Sequence, residues 1–256
     1  MDWRKAKTIL IIAFLILDMY LGSLLYANYR ENDLRVAKST LSDRQIEELA
    51  QFYDIKLSYK KTEVPDEMAV YTGVTTKLDK LLDLSWKPVG DGIYQKELST
   101  SIGVGETPSE VKAFLQKERL PYLADYNFDK MEGTSSSEIM IYQSKDKFPI
   151  FNGTIKLKFN SKKEVKSISY AHYELKEPLP QSHRPNQLNN ALASLLPQMN
   201  KTTVQSAELG YQRNKYNKDT DSIMIPIWRF KVGGKFYYIG TTSSDSISNV
   251  QPATSN

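Results

Sequence analysis

The sequence predicts an α+β protein. One N-terminal transmembrane helix should precede an extracytoplasmic region that holds two repeated helix-plus-antiparallel-sheet modules. Three observations carry this. Residues 8–27, "TILIIAFLILDMYLGSLLYA", are apolar almost throughout. From residue 107 onward, the order of one helix and then three strands occurs twice. Within those strands apolar residues alternate with polar ones, as in Ile155, Leu157 and Phe159 against Lys156 and Lys158, the period of a half-buried sheet.

The apolar run is long enough for a helix to cross a bilayer, which takes about 20 residues at roughly 1.5 Å rise each. Arg4, Lys5 and Lys7 stand before it against the single acid Asp2, so residues 1–7 are expected to be a cytoplasmic tip and the rest to lie outside. Trp3 at one edge and Tyr26 and Tyr29 at the other suit the headgroup layers. A cleavable signal would share this opening, but Leu25 and Ala27 fit the small-x-small cleavage pattern weakly, so a retained single-pass anchor is the reading preferred. No Cys follows the run to take a lipid anchor.

Residues 28–106 read as a stalk, a helix and a set of strands. Ser42 with Gln45 makes a capping box, and Ile46, Leu49, Ala50 and Tyr53 follow at helical spacing, which predicts a helix over 42–53. Short strands over 55–102 are broken by Pro65, Pro88 and Gly90 to Gly92, and their order cannot be read. The first α-β-β-β module, residues 107–181, opens with Thr107 as cap, Pro108 at the first helical position and Val111, Phe114 and Leu115 as the apolar face. "SEIMIYQSK", "FPIFNGTIKLKFN" and "EVKSISYAHYEL" are its strands. The second module, residues 182–242, has a helix packing Leu188, Leu192 and Leu195, then "VQSAELGYQRN", "IMIPIWRFKV" and "KFYYIGTT", with Gly233 and Gly234 in the hairpin turn. "FPIF" at 148–151 answers "IPIW" at 225–228. Residues 243–256 should be a loose tail.

Composition narrows the function. The net charge of +4 comes from interspersed Lys and acidic residues rather than basic blocks, which argues against nucleic acid as a partner. Cysteine is absent, so neither disulfides nor thiolate metal sites can form. The two histidines, His172 in a strand and His183 before a helix, lack metal-ligand spacing, and no metal or other cofactor is expected. "GVGE" at 103–106 lacks the third glycine of a dinucleotide fingerprint, and neither a G-x-S-x-G elbow nor an S-x-x-K motif occurs. No catalytic residue is therefore assigned. Trp86 and Trp228 could stack on glycans, and Lys156, Lys158, Lys162, Lys163 and Lys166 could meet an acidic polymer. The core alternation of Trp228, Phe230 and Val232 is the stronger account of the aromatics.

The acid inside the span is the sharpest feature. A carboxylate at the centre of a membrane helix costs on the order of 2.5–3.5 kcal/mol on insertion scales and normally faces another helix or water. Asp18 and Gly22 lie four apart, and Ser23 and Ala27 repeat that small-residue spacing on the adjoining face, which lets a second helix approach closely. Asp18, Gly22, Ser23 and Ala27 are thus the candidate partner-binding residues.

The opening "MDWRKAKTILIIAFLILDMYLG", with its Asp inside the span, resembles the N-terminus of the YycI (WalI) family of Gram-positive membrane proteins. Chain length, the single span, "FPIFNG" and "IPIWRF…GGKFYYI" extend the resemblance over nearly the whole chain, and the doubled modules are PepSY-like. The resemblance implies a non-enzymatic regulator of the essential two-component system of the sensor histidine kinase WalK and its response regulator WalR. It implies work beside the sister protein YycH, and no catalytic residues to carry over. The expected mechanism is allosteric binding, in which helix contacts bias the kinase with a coupling of about 1–3 kcal/mol. The sign of regulation, any ligand of the exported domain, and self-association stay open. The competing class is an envelope-binding module or a peptidase-inhibitor-like PepSY protein that acts through its exported domain alone.

Overall fold

The computed structural model describes residues 3, 7, 14, 15, 17–23, 41–60, 63–90, 92–104, 107–135, 137–214 and 222–240. Among the described residues no helix is long and apolar enough to cross a membrane. Most of the span expected over 8–27, the stalk over 28–40 and the tail over 243–256 lie outside them.

The class is α+β and sheet-dominated. Helix α1 (Asp43–Phe52) starts at Ser42, whose hydroxyl and the Gln45 side chain cap each other's backbone amides, and it buries Ile46 and Ala50. Helix α2 (Pro108–Lys117) uses the same device, Thr107 with Glu110, and buries Val111, Phe114 and Leu115. Helix α3 (Leu188–Leu195) has no side-chain cap and buries Leu188, Ala191, Leu192 and Leu195, so packing rather than local chemistry holds it.

The strands are β1 (Ile55–Leu57), β2 (Met68–Thr75), β3 (Lys87–Gly90), β4 (Ile93–Gly103), β5 (Glu132–Ser135), β6 (Glu138–Lys145), β7 (Phe148–Phe159), β8 (Glu164–Tyr170), β9 (Tyr173–His183), β10 (Thr202–Asn214), β11 (Ser222–Val232) and β12 (Lys235–Gly240). They join in one sheet of order β3-β4-β8-β7-β10-β11-β2-β9, with β5-β6 added beside β7, β12 beside β11 and β1 beside β10. After α2 runs the antiparallel meander β6-β7-β8; after α3 runs β10-β11-β12. A parallel contact between Ile150 of β7 and Tyr211 of β10 joins them. It is close: a Cβ on Gly210 would lie 2.5 Å from the Pro149 carbonyl oxygen and 2.6 Å from the Phe151 ring.

Two cores lie under the helices. In one, α2 covers Ile141, Ile155, Leu157, Val165 and Ile168, with Trp86 and Tyr94 filling in. In the other, α1 and α3 cover Val204, Leu209, Trp228, Phe230 and Ile239, with Met68 and Tyr71 of β2. Residues 41–104 are thus shared out. Helix α1, β1 and β2 complete the second core, whereas β3 and β4 extend the sheet of the first.

Two expectations are corrected. "EVKSISYAHYEL" is not one strand, because it breaks at Ala171 and His172. There the Ala171 amide still bonds to Thr154 of β7, while the His172 carbonyl already accepts from Thr76 after β2. Chain continuity hid this hand-over from the first half-sheet to the second. "FPIF" and "IPIW" both lie in the middle strand of a meander, but Trp228 is buried beneath α3 whereas Phe151 joins a small cluster with Tyr142 and Ile227. Trp86 and Trp228 are 7% and 0% exposed, which agrees with the core account of these aromatics rather than a glycan platform.

Candidate functional site at the joint of the two cores

The Ala171–His172 connection crosses the joint between the two cores. The His172 ring is 4% exposed. Its Nε2 lies 2.9 Å from Asp125 Oδ2, and its Nδ1 lies 2.7 Å from Thr76 Oγ1. An ionised carboxylate only accepts, so Nε2 carries the proton and Nδ1 accepts from the Thr76 hydroxyl. Tyr122 closes one face of the ring, with centroids 4.4 Å apart and planes at 12°. It holds a φ of 56°, a left-handed conformation that is an outlier for a bulky residue. A hydrogen bond of 2.6 Å from the Tyr170 hydroxyl to the Pro121 carbonyl secures the turn before it. Burial pulls the His172 pKa below its ordinary value, against the opposing pull of Asp125 and Glu174. The imidazole is therefore neutral at pH 7.

Thr76, His172 and Asp125 have the connectivity of a hydroxyl, a base and an orienting acid. Mechanically they tie the end of β2 to the β8–β9 connection and to the 3-10 turn Leu123–Asp125. A second tie lies alongside: the Gln143 side chain of β6 donates to the Tyr173 carbonyl at 2.7 Å and accepts from the Tyr173 amide at 3.0 Å. Gly153 makes room for it, since a Cβ there would lie 2.5 Å from Gln143 Oε1. A third tie runs from the Tyr71 hydroxyl to Asp146 in the β6–β7 turn, at 2.7 Å. The groups of the first two ties line a cleft of about 380 Å³, together with Tyr122, Lys145, Glu174 and Leu175.

On the other side of β6 sits Arg229, 2% exposed. Its guanidinium lies 4.4, 4.5 and 4.7 Å from the ring centroids of Tyr142, Phe151 and Phe236. Its Nη2 donates to Glu132 at 2.9 Å and to Glu208, which also meets Lys130 at 3.2 Å. Burial works against the charge, but Tyr142, Glu132 and Glu208 outweigh it and raise the Arg229 pKa further. Glu132 is pushed up by burial, with Arg229 pulling against it. Nη1 and Glu132 Oε2 are buried without hydrogen-bond partners beside a water-sized space. Since Arg229 and Glu208 come from the second meander and Glu132 and Tyr142 from β5 and β6, this node pins the same joint.

Sequence reasoning did not single out Arg229 or the His172 partners. The signal for Arg229 was present in "IPIWRF": Trp228 and Phe230 point to one face, so the arginine between them must be buried on the other or exposed. The partners of His172 come from distant segments, which spacing does not reveal. Among the residues proposed from sequence, Asp18, Gly22 and Ser23 lie exposed on the helical residues 17–23, and the joint is built from others. A Cβ on Gly22 would meet nothing within 4 Å. The Ser23 hydroxyl donates to the Tyr20 carbonyl at 2.8 Å. Ala27 lies outside the described residues. Lys156 and Lys158 both reach Glu138, at 3.8 and 3.9 Å. Among the described residues no cluster of three or more His, Asp or Glu side chains is placed to hold a metal ion.

The family described as "YycI protein" matches the chain over residues 32–241. The chain belongs to the YycI family. YycI proteins are regulators associated with the WalK system, and the family is not a known enzyme family. No curated protein matches the chain. A solved structure of an uncharacterized protein from Eubacterium rectale is similar to this YycI chain at 8% identity and a TM-score of 0.42, covering 78% of this chain and 86% of that one. Within this YycI chain "FPIFNG" is a joint motif. Ile150 pairs with β10, Phe151 stacks on Arg229, Asn152 accepts from the Arg213 amide at 2.7 Å, and Gly153 admits Gln143.

Proposed function

We propose that this YycI family member is a membrane-anchored, non-enzymatic regulator that biases the signalling state of the sensor histidine kinase WalK and works beside YycH. The family match over residues 32–241 carries the reading. The apolar run over 8–27 supports the anchor, with residues 1–7 in the cytoplasm and the folded region outside. Leu17, Met19, Tyr20 and Leu21 expose 48–77% of their surface on a helical stretch, as suits lipid or a neighbouring helix. Asp18 is then stabilised by a donor from a partner span. A helix contact that discriminates two kinase states by about 1–3 kcal/mol changes the active population severalfold.

The test is copurification of WalK and YycH in mild detergent, with kinase output measured in the same cells. Asp18→Leu should weaken association by roughly 0.6–1.7 kcal/mol, the worth of an interhelical hydrogen bond, and Asp18→Asn should do less harm. Normal regulation by Asp18→Leu and by a chain carrying an unrelated span would refute the contact. That result would favour an envelope-binding or peptidase-inhibitor-like module acting through its exported domain alone.

A further inference from the structure

Strand β9 ends the sheet, with β2 as its only strand neighbour among the described residues. Val74 pairs with Glu174, and the Thr76 amide donates to the His172 carbonyl at 3.0 Å, so the backbone groups of His172 and Glu174 point toward β2. In an antiparallel ladder the alternate residues point the other way, so the N–H and C=O of Tyr173 and Leu175 face outward. The Gln143 amide takes the Tyr173 pair, at 2.7 and 3.0 Å. A side-chain amide thus stands where the peptide group of a further strand would stand. One step along, Leu175, paired with Gly73, turns its N–H and C=O to the same outer side, on the cleft of about 380 Å³ that it lines.

We propose that this cleft is a docking slot for an extended, basic peptide segment of a partner protein, which adds to the outer edge of β9 at Leu175, before the register shift and Pro178 end the regular edge. The backbone supplies one half of the recognition, as in other strand additions. Charge supplies the other half. His172 and Glu174 share a strand face, and the cleft there is lined by the Glu174 carboxylate and by Asp125, whose side chain is 47% exposed. The Tyr122 ring, stacked on His172 and 46% exposed, offers an aromatic flank for a cationic side chain. The one lysine lining the cleft, Lys145, is held 5.6 Å over the Tyr71 ring and 3.8 Å from Asp146. A Lys or Arg of the incoming segment therefore completes the face. A strand that pairs with β9 lies about 4.7–4.9 Å from it, so the segment that reaches the Leu175 backbone is an extended one. Because the segment would bridge β9 and the β6 side of the joint, its binding is read by both cores. The proposal is independent of the span contact above.

The test uses the full chain in detergent micelles. Fluorescein-labelled hexapeptide pools with Lys, Arg, Glu or Ala fixed at the third position are titrated by fluorescence anisotropy, and amide exchange is followed over residues 173–177. Lys and Arg pools should bind about tenfold or more tightly than Glu pools, given the two carboxylates. Backbone N-methylation of the peptides should abolish binding, and the Leu175 amide should become protected. Glu174→Lys, a change at an exposed position, should reverse the preference toward Glu pools. Failure of every pool to bind overturns the proposal, as does binding that ignores both N-methylation and Glu174→Lys.

Discussion

Arg229→Met keeps an unbranched apolar stem while removing the charged end of the side chain, and so asks what the buried guanidinium contributes to the joint. In the structure the change leaves Glu132 and Glu208 facing the vacated centre, with 29% and 19% of their side chains exposed. Breaking a buried ion pair by removing one partner costs about 3–5 kcal/mol. Residual exposure places this case at the lower end, and the lost attraction to the rings of Tyr142, Phe151 and Phe236 offsets part of that relief. The expected loss is therefore about 3 kcal/mol, or roughly 6–12 °C in Tm for a domain of this size. Urea unfolding of the solubilised chain, followed by Trp fluorescence, measures it through Trp228 and Trp86 in the two cores. The triple variant Arg229→Met/Glu132→Gln/Glu208→Gln removes the stranded charges and should recover to within about 1 kcal/mol of the native chain. A single variant that costs less than about 1 kcal/mol, or a triple variant no better than the single, refutes the view that unpaired carboxylates are the cost.

His172 should make the joint weaken on mild acidification. Its folded pKa lies below the ordinary 6.5, so the unfolded chain takes up the proton first; the stability it contributes is complete above pH 6.5 and is lost as pH falls toward the lower folded value. His172→Gln should flatten the stability difference between pH 7 and the acid side of 6.5, as measured by urea midpoints, and an unchanged slope would count against it. Gly210→Ala forces a Cβ to within 2.5 Å of the Pro149 carbonyl oxygen and should cost about 1–3 kcal/mol of stability, seen as a lower urea midpoint. Gly153→Ala displaces Gln143 from Tyr173; amide exchange at Tyr173 should accelerate, and retained protection would show that the amide clamp is dispensable.

The two capped helices were legible because their signals are local. Ser42 with Gln45, and Thr107 with Pro108 and Glu110, act within one turn of chain, and the apolar faces of α1 and α2 recur at helical spacing over the same few residues. The Gly233–Gly234 turn, with φ of 55° and 81°, was legible for the same reason. The alternation of Ile155 and Leu157 with lysines told which face of β7 is buried, since a strand has only two faces. It could not tell what each face meets. Phe151, read as the counterpart of Trp228, turned out to stack on Arg229 instead.

The α+β class, the helix-then-meander order and the apolar run with Asp18 inside it are properties of contiguous chain, and the sequence by itself determined them. The tertiary structure alone decided that α1, β1 and β2 join the last meander, that β3 and β4 join the first, and that the chain crosses between them at His172. Those pairings bring together residues 47–149 positions apart, such as Asp125 with His172, Arg229 with Glu132 and Leu41 with Asn190. Hydrogen bonding and burial reward such contacts only after the intervening chain has folded into place. No local pattern of charge or spacing therefore marks them in advance.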